Sequence, residues 1–317
     1  MKAIAQDRYG SPDVLELREV DRPVPGDDDV LVKVHAAGVN ALDWHVMRGS
    51  PTWARAMIGL RRPKPAFRGV DVAGQVEAVG SNVQGLRPGD EVFGWCTGAF
   101  AEYACATESH FVPKPVNLTL EQAAAVPLAA ITALQGLRDV GRVQPGQSVV
   151  IIGASGGVGS FAVQIAKAMG AEVTAVCSTD SVAFVRSIGA DHAIDYTRED
   201  FTRGHERYDV IFQLAGSASP SACRRVLKPT GTLVLSSGEG IVLDRIVKSV
   251  VLTRFVSQRM ALLDATQNRD DLVIIKAFIE AGQVTPVLDR TYRLHEAAEA
   301  IRYVEVGHTR GKTVIAM

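Results

Sequence analysis

Six residues, Ala154-Ser155-Gly156-Gly157-Val158-Gly159, separate the apolar run Ser148 to Gly153 from a helical spacing that starts near Gly159. Between a strand and a helix this is A-x-G-x-x-G, the spacing of a dinucleotide fingerprint. At Gly156 and Gly157 the missing side chains let backbone N–H groups approach a pyrophosphate, and at Gly159 the helix can pack close to the strand. The helix N-terminus adds unpaired N–H groups and positive potential. Ser155, Gly156, Gly157 and Val158 are therefore the expected phosphate contacts. A tight turn that binds nothing is the bland alternative, and βαβ spacing on both sides argues against it.

About 20 residues further on, an NAD-binding chain places an acid that grips the ribose 2′-hydroxyl. Here that place reads "AVCSTD", with Cys177 and Ser178 at the strand end. The hydroxyls of Ser178 and Thr179 can donate to a 2′-phosphate, which points to NADPH as cofactor. Asp180 follows directly and repels a phosphate, so NADH stays open. Asp180 has a second reading, as the N-cap of the helix "SVAFVRSIG".

These residues need elements to hold them. From residue 1 to about 120 the text is short β-like runs cut by turn signals, such as "VLVKVHAAGVN" and "RPGDEVFG". From about 122 it changes to an Ala-rich helix, a buried strand at Ser148 to Gly153, a helix, and strands near Glu172 to Cys177, Val210 to Leu214 and Thr232 to Ser236. Alternating strands and helices predict a parallel sheet covered on both faces. The tail reads as a helix ended by Gly282, then strand, helix, strand. A chain of 317 residues is long for one hydrophobic core, so two domains are expected.

Composition narrows the function classes. A net charge of -1 gives no electrostatic footprint for nucleic acid, and a small-molecule substrate is expected instead. The N-terminus lacks the features of a targeting segment, and no stretch supplies about 18 consecutive apolar residues; a cytoplasmic protein is expected. The cysteines at 96, 105, 177 and 223 form no CxxC pair, which argues against a disulfide framework and a structural zinc site. The basic "RRPKP" near residue 61 reads as a solvated loop. The apolar segment "GIVLDRIVKSVVLTRFVSQRMALLD" is interrupted by Asp244, Arg245, Lys248 and Arg254, which fits a helix over the sheet or a substrate cleft; membrane contact is not expected.

The phrases "AAGVNALDWHVMRG", "VDVAGQVEAVG", "RPGDEVFG", "GASGGVGSFAVQIAKAMGA", "GADHAIDY" and "RGKTVI" resemble the medium-chain dehydrogenase/reductase superfamily, in its zinc-independent quinone oxidoreductase branch. The resemblance runs almost end to end. It implies an α/β protein with a GroES-like β-rich catalytic domain at 1–121 and 268–317, a doubly wound Rossmann nucleotide-binding domain at 122–267, and a cleft where they meet. Zinc relatives carry a Cys after "AAGV" and a "GHE"; here those places are Asn40 and Gly69-Val70-Asp71. The lobe that holds their structural zinc has no counterpart in "GWCTGAFAEYACA". No metal is expected, and Asp71 reads as a buried carboxylate bonded to backbone or to Arg68.

The resemblance also implies site residues. Asn40 lies on the wall beside the nicotinamide, and Thr132 near its carboxamide. Two tyrosine positions of relatives are His45 and Pro51 here, and His45 becomes a candidate proton donor. Tyr196 maps to the adenine side, and Leu214-Ala215-Gly216 and Ser236-Ser237-Gly238 to the nicotinamide side. Arg310 and Lys312 in "GHTRGK" either reach phosphate or ribose, or face water as turn charges. The implied activity is NADPH-dependent reduction of quinones or α,β-unsaturated carbonyls (enones), which accept hydride without a Lewis acid. Alternatives are a cofactor-binding protein with vestigial catalysis, an enoyl-thioester reductase, or an alcohol dehydrogenase. A homodimer through edge strands is implied, with "RMALLD" as the candidate edge.

Overall fold

Within Asp29–Val39 the apolar residues Val32, Val34 and Ala36 are buried while Lys33 and His35 between them are exposed, the period of two that a half-buried strand requires. This strand is the axis of a seven-stranded sheet in the computed structural model, which describes residues 1–64, 66–216, 218–236 and 257–317. The order is Leu288–Arg293, Lys312–Ala316, Asp29–Val39, Asp71–Val79, Glu91–Trp95 and Phe111–Pro113, with Tyr103–Thr107 also pairing Asp29–Val39. All pairings are antiparallel except that of Leu288–Arg293 with Lys312–Ala316. The register Thr313 to Val39 and Ala316 to Ala36 stitches the end of the chain to its beginning. The core behind this sheet is built from Val72, Val76, Val92, Phe100, Phe111, Ile301 and Ile315.

The second sheet has six strands in the order His192–Asp195, Glu172–Cys177, Ser148–Ile152, Tyr208–Gln213, Leu227–Ser236 and Arg259–Leu263, all parallel. Val149, Val150 and Ile151 in its middle strand are fully buried, as expected of a strand covered on both faces. The chain order reverses at this strand: the next two strands lie on one side of it and Tyr208–Gln213 on the other. That reversal is where open α/β sheets leave a crevice at the strand C-termini. Arg259–Leu263 stands at one edge of the sheet.

The chain divides into two compact units, Met1–Ala129 with Gln267–Glu280 and Pro286–Met317, and Ala130–Thr266 with Ala281–Thr285. The first junction falls eight residues past 121, where the periodicity changes, because Leu120–Ala124 is helical yet packs on the first sheet: a Cβ on Gly38 would meet the Ala124 carbonyl oxygen at 2.4 Å. Residues 281–285 go with the second unit, where Gln164 donates to the Thr285 carbonyl and accepts its N–H. Among the described residues no helix is long and apolar enough to cross a membrane.

Candidate active site

The glycine turn follows the middle strand of the parallel sheet. The helix begins at Gly157, two residues before the expected start at Gly159, with Gly156 as its N-cap. No side chain caps this twelve-residue helix, so its first-turn N–H groups and the positive end of its dipole face the space beside Gly156. A Cβ built on Gly156 would meet only the Gly153 carbonyl oxygen, at an ordinary 3.5 Å, so the turn is open on that side. At Gly159 the same construction meets the Gly153 oxygen at 2.1 Å and the Ala154 carbonyl carbon at 2.7 Å. Gly159 is thus a packing glycine, while Gly156 faces open space. Ser155, Gly157 and Val158 are half-buried around this opening, which fits a pyrophosphate.

Four further expected positions follow C-termini of the parallel strands and so collect at the same end of the sheet: Ser178, Tyr196, Leu214 and Ser236. Tyr196 is 53% exposed and its backbone N–H donates to the Cys177 carbonyl at 3.1 Å, which ties it to the strand end that leads into Ser178. Leu214 N–H donates to Ile152 O, and Ala215 lies against Gly153. Ser236 ends its strand opposite Leu263. Ser237, Gly238 and most of the apolar segment that starts at Gly240 lie outside the described residues.

The ribose-side hydroxyls are less free than the sequence suggests. Thr179 Oγ1 donates to Asp195 Oδ2 at 2.5 Å and lies 2.9 Å from Thr197 Oγ1; Ser178 Oγ donates to Ser181 Oγ at 3.4 Å. Asp180 is not the helix N-cap: it lies inside the short 3-10 turn Thr179–Ser181, and Ser181 precedes the helix Val182–Ser187. Asp195, which the sequence reading passed over, is the acid at this edge, since it stands in register with Cys177 on the neighbouring strand. Hydrogen bonds from Thr179 and Thr197 hold its carboxyl below the usual range. Only the strand pairing brings it there, so no local signal could have found it.

In the first unit the strand Asp29–Val39 delivers Asn40 to the start of the helix Ala41–Arg48. Asp43 reaches back to the Asn40 N–H at 2.8 Å, and the Asn40 side chain turns away from the helix into a buried polar cluster. Its Nδ2 donates to Asp71 Oδ2 at 2.9 Å and, at the margin of a hydrogen bond, to Gly38 O at 3.4 Å. Its Oδ1 accepts from Lys312 Nζ at 2.5 Å, and the same ammonium donates to Val39 O at 2.9 Å. Asp71 Oδ1 accepts the Leu128 N–H at 3.1 Å. The bonds around Asp71 are thus to backbone and to Asn40, while the Arg68 charge acts on Asp43.

Lys312 corrects the sequence reading most. It is 3% exposed, so it is not a turn charge facing water, and its ammonium is committed to Val39 and Asn40 rather than offered to phosphate or ribose. Arg310 is exposed, with its backbone N–H donating to Asp289. Burial pushes the Asp71 carboxyl up to about 6 against the pull of the Lys312 charge, and pushes Asp43 up to about 7. Burial likewise lowers Lys312 and Arg68. His45 is half-buried in the same helix, stacked on Trp44 with ring centroids 3.6 Å apart. Thr132 is half-buried on the helix Pro127–Gln135, in the part that belongs to the second unit.

Comparison with known proteins agrees with this geometry. Residues 26–116 match the model of the alcohol dehydrogenase GroES-like domain, and residues 188–315 that of the zinc-binding dehydrogenases. The chain is 34% identical to the 2-methylene-furan-3-one reductase of Solanum lycopersicum over 99% of its own length and 79% of the relative's. It is likewise 34% identical to the chloroplastic NADPH-dependent alkenal/one oxidoreductase of Arabidopsis thaliana, with the same coverage. The solved quinone oxidoreductase of Coxiella burnetii superposes with a TM-score of 0.89 at 31% identity, covering 100% of this chain and 99% of that one. With a GroES-like unit, a Rossmann-like unit and relatives of this similarity along its whole length, the chain is an oxidoreductase and belongs to the medium-chain dehydrogenase/reductase superfamily, in its quinone oxidoreductase branch.

Proposed function

We propose that the protein reduces quinones or α,β-unsaturated carbonyls with NADPH and without zinc. The observation that carries this is Asn40, which stands where a metal ligand would be and whose carboxamide is held between Lys312 and Asp71. The residues at the ligand positions do not fit a metal ion. Val70 has no ligand atom, both Asp71 oxygens accept N–H bonds, and a buried ammonium already sits in the cluster. Among the described residues no group of three or more His, Cys, Asp and Glu could hold a metal.

Bound NADPH supplies the hydride, and an electron-poor quinone or enone accepts it without a Lewis acid. The chain's own work is placement. The open face at Gly156 and the uncapped helix behind it would hold the pyrophosphate, with Ser155, Gly157 and Val158 around it. Tyr196 would hold the adenine side, Leu214, Ala215 and Ser236 the nicotinamide side, and Thr132 the carboxamide. Asn40 donates its second N–H toward the acceptor oxygen as negative charge develops there. His45, on the helix that begins after Asn40, is the group we assign as proton donor. The edge strand Arg259–Leu263 is the surface on which we place a homodimer.

The test is direct. NADPH absorbance is followed with the purified protein and a panel of small quinones and enones, NADH in parallel, with and without chelator. Decay with NADPH that chelator leaves unchanged is the expected result. Cofactor binding without turnover on any acceptor would refute the reductase reading.

A further inference from the structure

We infer that Lys312 is a positioning residue: it fixes which end of the Asn40 carboxamide is the donor that faces a bound ligand. The inference rests on the reading of Asn40 given above. Lys312 Nζ has three donors and no acceptor, so the carboxamide must turn its oxygen toward it; ionised Asp71 has only acceptors, so the carboxamide must turn its nitrogen there. The two contacts, at 2.5 Å and 2.9 Å, therefore agree on one orientation. A flipped amide would set NH2 against ammonium and C=O against carboxylate, a mismatch that burial makes costly, with Asn40, Asp71 and Lys312 exposed by 7%, 0% and 3%. One Nδ2 hydrogen is thereby spent on Asp71. The other has only the marginal Gly38 carbonyl at 3.4 Å, which leaves it for a ligand oxygen.

The fold places Lys312 there by strand register rather than by local sequence. Thr313 pairs with Val39, so the residue before it lies level with Asn40 across the sheet. Gly311, at φ +92°, brings the chain into the strand so close to Val287 that a Cβ would meet the Val287 carbonyl oxygen at 2.4 Å, and the Lys312 N–H donates to the same oxygen. The charged groups facing the ammonium are Asp71 and Asp43, and Arg68 in turn faces Asp43.

The experiment is a double-mutant cycle on the full chain with Lys312→Met, Asn40→Ala and the pair, reading kcat, the NADPH dissociation constant and Tm. Lys312→Met should lower kcat about tenfold, less than deletion of a whole oxyanion donor, and leave NADPH affinity within about twofold. In the Asn40→Ala background the same change should alter kcat less than about twofold, because the residue acts through Asn40. In ligand-free protein labelled with ¹⁵N-asparagine, the Asn40 side-chain amide should lose its protection from hydrogen exchange when Lys312 is replaced. Equal kcat losses in both backgrounds, or unchanged protection, would overturn the inference while leaving Asn40 in place; full kcat in Asn40→Ala would remove the Asn40 reading itself and this inference with it. If Lys312→Met does not fold, Asp71→Asn takes its place. That change keeps the volume and lets the amide flip, and the same pattern of losses is expected.

Discussion

Gly156 and Gly159 stand three residues apart in one turn, and the structure assigns them opposite consequences. At Gly156 the backbone is extended, with φ -74° and ψ -179°, a conformation open to any residue, and an added Cβ would meet nothing closer than 3.5 Å. Gly156→Val should therefore fold, losing only the few tenths to about 1 kcal/mol that a branched N-cap costs. Its methyl groups would fill the space that phosphate oxygens must enter. Losing one or two N–H bonds to an ionised phosphate, about 1.5 to 3 kcal/mol each, raises the NADPH dissociation constant at least about tenfold. At Gly159 a Cβ would lie 2.1 Å from the Gly153 carbonyl oxygen, so Gly159→Ala must push helix and strand apart at a cost of about 1 to 3 kcal/mol or more. Titration calorimetry with NADPH and thermal unfolding on both variants separate the two effects. An unchanged NADPH affinity in Gly156→Val at unchanged Tm would refute the pyrophosphate assignment, and an unmoved Tm in Gly159→Ala would refute the packing argument.

Other consequences are equally checkable. Asp43 has a folded-state pKa near 7, above its unfolded value of about 3.9, so its contribution to stability is present at acid pH and lost as pH rises through 7. Asp43→Asn keeps an acceptor for the Asn40 N–H and should remove about 2 to 4 kcal/mol of that loss, seen in urea melts as a flatter fall in midpoint from pH 5 to pH 8; a parallel fall would contradict the burial of a titrating carboxyl. The parent should prefer NADPH over NADH by a small factor, and Asp180→Arg should raise the preference about tenfold, since 1.4 kcal/mol is a factor of ten; kcat/KM for both coenzymes measures it, and a parent that prefers NADH would mean that an acid at this edge reads the ribose. Purified protein should carry less than stoichiometric zinc by elemental analysis, and activity lost to chelator and restored by zinc would overturn the metal-free reading.

Much of the architecture was legible because it is written locally. The apolar run at Ser148, the glycine turn and the helical spacing after it are contiguous, and each element appears within two residues of where the sequence places it. The same holds for the helix Arg269–Glu280 and the strand, helix and strand that follow it. What stayed hidden depends on pairing between distant segments. In "GHTRGK" nothing distinguishes Lys312 from the exposed Arg310; only the register of the last strand against Val39 buries one and leaves the other in water. Asp195 is four residues into "HAIDY" by sequence but level with Cys177 in space, and Thr179 turns to it rather than outward.

The buried charges around Asn40 bear on why this chain departs from a purely apolar core. Asp43, Asp71, Arg68 and Lys312 are each less than 5% exposed. Taking two carboxylates and two cations from water costs several kcal/mol per ion, and mutual attraction repays this only with well-made geometry. Apolar residues of similar volume would serve a sheet equally well or better, so stability alone does not account for the cluster. Its members differ, however, in what they touch: Asp43 holds the Asn40 backbone, Asp71 its amide nitrogen and Lys312 its amide oxygen. Three of the four thus converge on one residue, two of them on its carboxamide, in an arrangement no apolar core can reproduce, because only hydrogen-bonding groups tell an amide's oxygen from its nitrogen. Local rules of foldability yield at functional sites. Here they yield around Asn40, the residue to which the proposed reduction assigns a donor of fixed direction.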